Sequence, residues 1–195
     1  MSSPAVVEPP RRRLSEKQAH TVHRLTAATV RELRRSGYDG LTVRNVARRA
    51  GVAPATAYTY FASKDHLITE VFWRRLHALP PARFNGRATA PAARVRRVVA
   101  DLARLVAEEP ALAAACTTAM VATDPDVKHL RERIGGDIRR RLVTALGPGH
   151  DEAVLRALEL ALSGAMLQAG TGHLSYDDLP DEVGGVAELV VGRGR

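Results

Sequence analysis

The sequence has a single cysteine, which excludes a fold held by internal disulfides. It also has no long apolar run, which excludes a membrane-spanning protein. Cys116 has no second cysteine with which to form a disulfide inside the chain. No uncharged apolar run approaches the roughly 20 residues needed to cross a bilayer. Residues 1–13 also lack the apolar stretch of a signal peptide. We therefore expect a cytoplasmic protein with no membrane partner.

Lysine is scarce, and the positive charge is unevenly distributed. Residues 1–77 hold 14 Lys and Arg against 6 Asp and Glu, whereas residues 78–195 hold 15 of each. This asymmetry indicates that one part meets a polyanion and that the other has a different task. The 26 Arg against 3 Lys could reflect a genomic coding bias. Such a bias does not explain why only one part is unbalanced.

Length and composition place the chain among soluble globular proteins. Its 195 residues are 45% hydrophobic and 26% charged, and this length fits one domain or two small ones. Helical periodicity runs through almost all of it, and no convincing strand alternation appears. We predict an all-α fold of about nine helices. They cover about 15–36, 42–50, 54–60, 63–79, 95–110, 111–122, 126–146, 151–169 and 178–191.

Local residue types support these limits. Ser15 with Gln18, Thr42 and Ser63 are typical helix N-caps, and Gly37 and Gly51 are typical helix ends. Residues 1–14, rich in proline and ending near Arg11-Arg12-Arg13, are predicted to be a disordered basic arm. Residues 80–91 are predicted to be a linker. The glycine pairs at 135–136 and 184–185 are expected to loosen their helices.

The segment 42–67 has the most specific pattern. Two short helices joined by Ala50-Gly51-Val52 predict a helix-turn-helix, in which Gly51 supplies the turn conformation. Such a motif presents the start of its second helix to a DNA major groove about 12 Å wide. Many helical hairpins with a glycine turn bind nothing, so spacing alone leaves a purely structural hairpin open.

Residues 42–52 and 56–67 resemble the DNA-binding domain of the TetR repressor family. The preceding helix with its Gly37-Tyr38 ending matches as well, so the resemblance covers about residues 15–70. The stretch from Tyr60 to Asp65, two aromatic residues and then Ser-Lys-acidic, is specific for this family. Ala53 and Ala57 depart from the family's usual Ser or Thr cap and larger aliphatic residue. Neither departure removes a DNA-contacting group.

The resemblance implies an N-terminal three-helix DNA-binding domain over 15–62. Arg44 would reach a guanine edge or a phosphate, small residues of the third helix would face the groove, and two tyrosine hydroxyls would meet phosphates. The implied contacts are Thr42, Arg44, Pro54, Ala55, Thr56, Tyr58, Thr59, Tyr60 and Lys64. The arginine cluster at 11–13 is either a DNA-binding arm or a solvated tail.

The resemblance also implies a C-terminal helical bundle over 63–195 that binds a ligand and dimerises. Apolar residues of the 151–169 helix are the dimerisation candidates, although an ordinary core face would look the same: Leu155, Leu158, Leu162, Ala165 and Ala169. Candidates for lining a ligand pocket are Trp73, Phe84, Leu105, Cys116, Thr117, Met120 and Met166. Their apolar character favours a hydrophobic or amphipathic effector, although most such residues could simply be core.

These patterns predict a ligand-responsive transcriptional regulator. In the simplest form it is a repressor that binds a palindromic operator on double-stranded DNA as a homodimer and is released by a small hydrophobic effector. No cofactor, metal site or catalytic set is predicted, because His20 and His23 lack further ligands and no convergent acid–base group is visible. The alternatives are a nucleoid-type protein that binds DNA without sequence preference, and a helical enzyme with an incidental helix-turn-helix.

Overall fold

The computed structural model describes residues 16–84 and 90–192, and all regular structure in these ranges is helical. The helices are α1 (Glu16–Gly40), α2 (Val43–Ala50), α3 (Pro54–Tyr58), α4 (Lys64–Ala78), α5 (Pro91–Ala107), α6 (Pro110–Ala119), α7 (Pro125–Leu146), α8 (Glu152–Gly170) and α9 (Leu179–Gly192). The predicted all-α class is confirmed. The predictions for Ser15 and for the arm with Arg11, Arg12 and Arg13 fall outside the described residues.

Helix starts lie where capping residues predict them. The Thr42 hydroxyl accepts a hydrogen bond from the Asn45 N–H at 3.1 Å, and the Ser63 hydroxyl accepts one from the His66 N–H at 3.0 Å. Each bond satisfies one of the first N–H groups of a helix, which have no intrahelical partner. α3 begins at Pro54 without a side-chain cap from Ala53, as expected.

The glycines behave in two ways. Helical geometry is interrupted at Gly37, with φ 65° and ψ −172°, so the first long helical stretch ends there as predicted. By contrast, α7 and α9 run without a break through residues 135–136 and 184–185, although both pairs were expected to loosen their helices. Gly184 is buried, and a Cβ there would lie 2.7 Å from Nε of Arg96, so the arginine side chain would have to move.

One apolar core connects the helices, and α4 lies between its two halves. α1 packs on α2, and α2 packs on α3, which forms the N-terminal unit. α4 packs on α1 as well as on α6 and α7, while α5 packs on α7 and α9 and α8 packs on α9. Leu67, Ile68 and Leu76 of α4 are fully buried. A movement of α4 would therefore displace residues packed on it in both halves.

Arginine side chains close the C-terminal ends of four helices. In each case a guanidinium from another helix donates to the last backbone carbonyls, which have no intrahelical partner and carry partial negative charge. The pairs are Arg24 with Ala50 and Gly51 after α2, Arg141 with Leu76, Leu79 and Pro80 after α4, Arg131 with Met120 and Ala122 after α6, and Arg94 with Ala145 and Leu146 at the end of α7. Part of the arginine excess thus has a structural task that a single-point lysine would perform less well.

Within residues 16–84 and 90–192, no helix combines the length and the apolar character needed to cross a membrane.

Candidate DNA-binding surface and ligand cavity

The turn between α2 and α3 is fixed from two sides. Gly51 has φ 62° and ψ 37°, a left-handed conformation, and the Val52 N–H returns to the Ala47 carbonyl at 2.9 Å. Arg24 of α1 donates to the Gly51 carbonyl at 2.9 Å and also to the Ala50 carbonyl. A Cβ at Gly51 would lie 2.7 Å from that guanidinium. The angle between the two helices therefore depends on glycine at this position.

α3 has an anchored back and an exposed front. Ala57 is fully buried, and Phe61 just after the helix is 2% exposed, so this side packs on the core. The exposed residues are Thr42, Arg44, Pro54, Ala55, Thr56, Tyr58 and Thr59, whereas Tyr60 and Lys64 are half-buried. Seven of the nine residues implied by the resemblance are thus exposed, and we call the nine together the candidate DNA-binding surface.

Two polar groups of this surface already have partners. The Thr59 hydroxyl donates to the Thr56 carbonyl at 2.7 Å, so it offers a neighbour only an acceptor oxygen and a methyl group. The Lys64 ammonium donates to the Tyr38 carbonyl at 3.1 Å and lies 3.8 Å from the centre of the Tyr38 ring. Arg44, in contrast, is exposed and forms no ion pair with any described residue.

Tyr38 is held in turn by Asp65 of α4. The Tyr38 hydroxyl donates to the Asp65 carboxylate at 2.7 Å. Burial and the neighbouring Asp65 raise the pKa of Tyr38 to about 12, so its hydroxyl stays protonated. This chain of contacts fixes the Lys64 ammonium at the first turn of α4, and its other N–H groups remain available to an anion.

A buried carboxylate joins α1 to α2. Glu32 is 1% exposed and accepts hydrogen bonds from Arg35 of its own helix and from Nε of Arg49 at 2.6 Å. The hydrogen bond from Arg35, helped by Arg49, lowers the pKa of Glu32 to about 2. Sequence reasoning missed this clamp, because a Glu with an Arg three residues later is usually a solvated surface pair.

A second buried carboxylate joins α1 to α4 and α6. Glu109, at the start of α6, is 3% exposed and pairs with Arg34 of α1, whose Nε lies 2.8 Å from Oε1. Arg75 of α4 lies 3.6 Å from its other oxygen. The hydrogen bond from Arg34 is the main cause that lowers the pKa of Glu109. We call these three residues the Glu109 cluster.

A cavity of about 490 Å³ lies between the segment after α4 and one face of α5. Residues 79–84 form one wall, and Arg97, Asp101, Arg104, Leu105 and Glu108 form the other. Of the seven residues predicted to line a ligand pocket, Phe84 and Leu105 line this cavity. The other five are not among its lining residues.

Those five lie in or against the helical core. Trp73 is 6% exposed, stacks on His77 with ring centres 4.9 Å apart, and is covered by the Arg133 guanidinium at 4.5 Å. Cys116 is buried, and burial raises the pKa of its thiol to about 12, so it is protonated at neutral pH. The half-buried members of the set are Thr117, Met120 and Met166.

The predicted dimerisation residues face the protomer's own core. Leu155 and Leu158 are fully buried, and Leu162, Ala169 and the half-buried Ala165 lie against the same core. Packing within this protomer leaves little of their surface for a second copy. The large exposed apolar residues of α8 and α9 are instead Leu160, Leu167 and Leu189, between 54% and 66% exposed. Periodicity did not separate the two faces, because both carry leucine.

No group of three or more His, Cys, Asp or Glu side chains that could hold a metal ion occurs among the described residues.

Known proteins share this architecture. Residues 25–71 match the family of bacterial regulatory proteins of the tetR type. The uncharacterized HTH-type transcriptional regulator Rv0767c of Mycobacterium tuberculosis H37Rv is 42% identical over 203 residues, which cover 98% of this chain and 94% of that protein. The HTH-type transcriptional repressor KstR of Rhodococcus jostii RHA1 is 27% identical over 184 residues, covering 92% of this chain and 87% of that protein.

A solved structure extends the similarity to the whole fold. The crystal structure of a TetR transcriptional regulator from Rhodococcus sp. RHA1 superposes with a TM-score of 0.73 and 23% identity, and it covers 93% of this chain and all of that one. The chain is therefore a helix-turn-helix transcriptional regulator. It belongs to the TetR family.

Proposed function

We propose that this regulator is a repressor that binds a two-fold symmetric operator as a homodimer and leaves it when a hydrophobic or amphipathic small molecule binds. The observation that carries the proposal is the exposed front of α3, held on a buried back at Ala57 and a fixed turn at Gly51. The similarity to KstR, a protein named as a repressor, supports the direction of the response.

We propose that two parts of the chain have separate tasks. Residues 15–62 read DNA, and residues 63–195 bind the effector and dimerise. In a dimer, the DNA-binding units of the two protomers would present their α3 helices about 34–36 Å apart, one turn of B-DNA. An effector that binds more tightly to a dimer with another spacing would weaken DNA binding. The decrease in DNA affinity cannot exceed the ratio of the effector's affinities for the two dimer forms. The shared helix α4 and the Glu109 cluster are the connections through which this difference would pass.

Each exposed residue of the surface has a proposed contact. Arg44 is suited to a bidentate hydrogen bond with guanine or to a phosphate. Thr59 would accept a hydrogen bond or meet a thymine methyl, because its own proton is already donated. Pro54, Ala55 and Thr56 would face the groove, while Thr42, Tyr58, Tyr60 and Lys64 would contact phosphates.

The proposed dimer surface lies on the outer faces of α8 and α9. Leu160 and Leu167 on α8 and Leu189 on α9 are large apolar side chains left exposed in one protomer. Covering them would remove apolar surface from water, which favours association. We propose this outer surface for the dimer in place of the inward face, which carries Leu155, Leu158 and Leu162.

The regulator is proposed to act by binding rather than by catalysis, and without a cofactor. Since its proposed target is the bacterial chromosome, we place its action in the cytoplasm. A nucleoid-type protein would share the basic surface, but it would bind all DNA sequences alike.

Fluorescence anisotropy with the DNA upstream of the protein's own gene tests this function. We expect binding that survives an excess of random-sequence DNA and that weakens steeply with salt as counterions are released. Equal competition by random DNA would favour the nucleoid-type alternative. Absence of binding at low salt to this region and to a genomic fragment library would rule out the proposed function.

A further inference from the structure

The walls of the cavity beside α5 carry charges that DNA binding does not use. Arg104 pairs with Asp101 at 3.2 Å, but Arg83 and Arg97 form no ion pair with any described residue. Both are exposed and both line the cavity. Each of these two arginines is therefore open to an external anion, since a guanidinium binds carboxylates and phosphates through paired hydrogen bonds.

The charged residues of the α5 wall are arranged in a row along the helix. Arg97, Asp101, Arg104 and Glu108 follow one another at three- and four-residue intervals and therefore lie on one face of the helix. Arg97 and Glu108 are 11 positions apart, about 16 Å along the axis at the rise of an α-helix. The Arg97 end is therefore positive and the Glu108 end negative. A ligand with one anionic group would have a single favoured orientation.

The rest of the lining is largely apolar. Leu79, Ala82 and Phe84 come from the segment after α4, and Leu105 lies on α5 and is 8% exposed. A cavity of about 490 Å³ falls within the range of small-molecule sites. Its apolar surface suits an alkyl or acyl body rather than a highly charged molecule.

We propose that this cavity is the effector site and that it binds an amphipathic anion. The carboxylate or phosphate head contacts Arg97 and Arg83, and the apolar body lies against Leu79, Phe84 and Leu105. This inference rests on the proposed function for its regulatory meaning, but binding itself is a separate property.

The cavity connects to the DNA-binding unit through two adjacent residues. Only Glu108 and Glu109 separate the end of α5 at Ala107 from the start of α6 at Pro110. Glu108 lines the cavity, and Glu109 pairs with Arg34 of α1 and Arg75 of α4. A ligand that displaces the end of α5 must therefore move the carboxylate to which α1 is bound.

Calorimetric titration of the full-length protein with decanoate, decyl phosphate and 1-decanol tests the site. We expect at least one of the two anions to bind, and 1-decanol to bind at least about tenfold more weakly, because it lacks the charge-assisted hydrogen bonds. The double substitution Arg83→Gln, Arg97→Gln should weaken the anion at least tenfold and leave 1-decanol unchanged. Lys128→Gln removes one positive charge outside the cavity and should leave every affinity unchanged.

Several results would overturn the inference. These are failure of both anions to bind at millimolar concentration, equal binding of 1-decanol, and unchanged anion affinity in the double variant. DNA binding is measured separately by anisotropy without any probe. A protein that binds its DNA but no anion would overturn the effector site and leave the DNA-binding part of the proposed function intact. A protein that binds the anion but no DNA would overturn the DNA-binding part of the proposed function and leave the anion site intact.

A substitution at Glu109 tests the coupling between the cavity and DNA binding. Glu109→Gln keeps the cavity lining but removes the charge that holds Arg34. We expect it to bind decanoate or decyl phosphate as the wild type does, while the anion no longer lowers its DNA affinity. An unaltered response of DNA affinity to the anion would show that the Glu109 cluster is not the connection.

Discussion

The Nε atom of Arg49 lies 2.6 Å from the carboxylate of Glu32, inside the N-terminal unit. This ion pair holds α2 on α1 from one side, while Arg24 holds the turn after α2 from the other. The position of α3 depends on both contacts, because only Gly51, Val52 and Ala53 lie between α2 and α3. The candidate DNA-binding surface is thus oriented by one ion pair and by the hydrogen bonds from Arg24 to backbone carbonyls.

The pH dependence of stability should show the Glu32 clamp. Its pKa is about 2 in the folded chain against an ordinary value of 4.5, so the unfolded state binds the proton more readily. The stability contributed by Glu32 is complete above about pH 4.5 and is lost as the pH falls towards 2. We expect the free energy of unfolding, measured by urea denaturation at pH 7, 5 and 3, to fall less steeply in Glu32→Gln than in the wild type.

Other carboxylates also titrate in this range, so the comparison needs a matched variant. Glu132→Gln removes an exposed carboxylate from α7 and should preserve the wild-type slope. A Glu32→Gln slope equal to that of Glu132→Gln would show that the buried carboxylate does not carry the effect.

Replacing Arg44 should weaken operator binding without unfolding the protein. Its side chain is exposed and forms no ion pair with described residues, so Arg44→Ala removes little from the fold. Loss of a bidentate base contact costs about 1–3 kcal/mol, a decrease in affinity of about 5- to 150-fold. Anisotropy titrations measure the affinity, and thermal denaturation checks the fold.

The pattern across sequences separates two roles for Arg44. If it reads a base, the loss is larger for the operator than for random DNA; if it binds a phosphate, both decrease alike. Lys128→Ala, an exposed cation on α7, serves as the control. A loss of operator affinity in Lys128→Ala as large as in Arg44→Ala would contradict the assignment of the surface.

Arg141 should be far more important for stability than its neighbour Arg140. Arg141 is 8% exposed, pairs with Asp137 at 2.8 Å and donates to three carbonyls at the end of α4. Arg141→Met removes the buried one of the two arginine partners of Asp137 and frees the three carbonyls, and breaking a buried ion pair costs about 3–5 kcal/mol. Urea denaturation should show this loss.

Arg140 provides a close control for this experiment. It pairs with the same Asp137 at 2.8 Å, but its side chain is 67% exposed. Arg140→Met should therefore cost about 0–1 kcal/mol, as for other exposed ion pairs. Similar losses in the two variants would mean that the contacts of Arg141 with the end of α4 contribute little.

Leu160→Lys should produce a folded monomer. The side chain is 58% exposed in the protomer, so lysine is tolerated there, but two copies of the charge would be buried in the proposed dimer surface. Size-exclusion chromatography with light scattering should show a halved mass, and operator affinity should decrease because the two half-sites are bound independently. Val121→Lys, at a position 71% exposed beyond α6, should remain a dimer.

Local rules predicted the helices well, because their signals lie within a few residues. Thr42, Ser63 and Pro54 begin helices in any context that leaves their N-termini exposed, and Gly37 and Gly51 end them. The DNA-binding surface follows from such signals together with the resemblance of residues 42–67. Seven of its nine residues are exposed in the structure, and their contacts with DNA stay a prediction.

Long-range contacts could not be predicted in this way. Arg141 meets the end of α4 across more than 60 residues of chain, and nothing in its local sequence distinguishes it from Arg140. The two leucine faces of α8 look alike until α6, α7 and α9 pack against the helix. The cavity arises from the meeting of residues 79–84 with α5, so only Phe84 and Leu105 were anticipated.

Helix ends closed by another helix's arginine also change how the chain opens. The last turn of an isolated helix frays independently of its surroundings. Here the last turns of α2, α4, α6 and α7 each accept hydrogen bonds from an arginine of another helix, so opening them requires these bonds to break. Amide hydrogen exchange at these ends should therefore be slow and concerted. A disturbance at one of these four ends should therefore pass to the helix that carries its arginine.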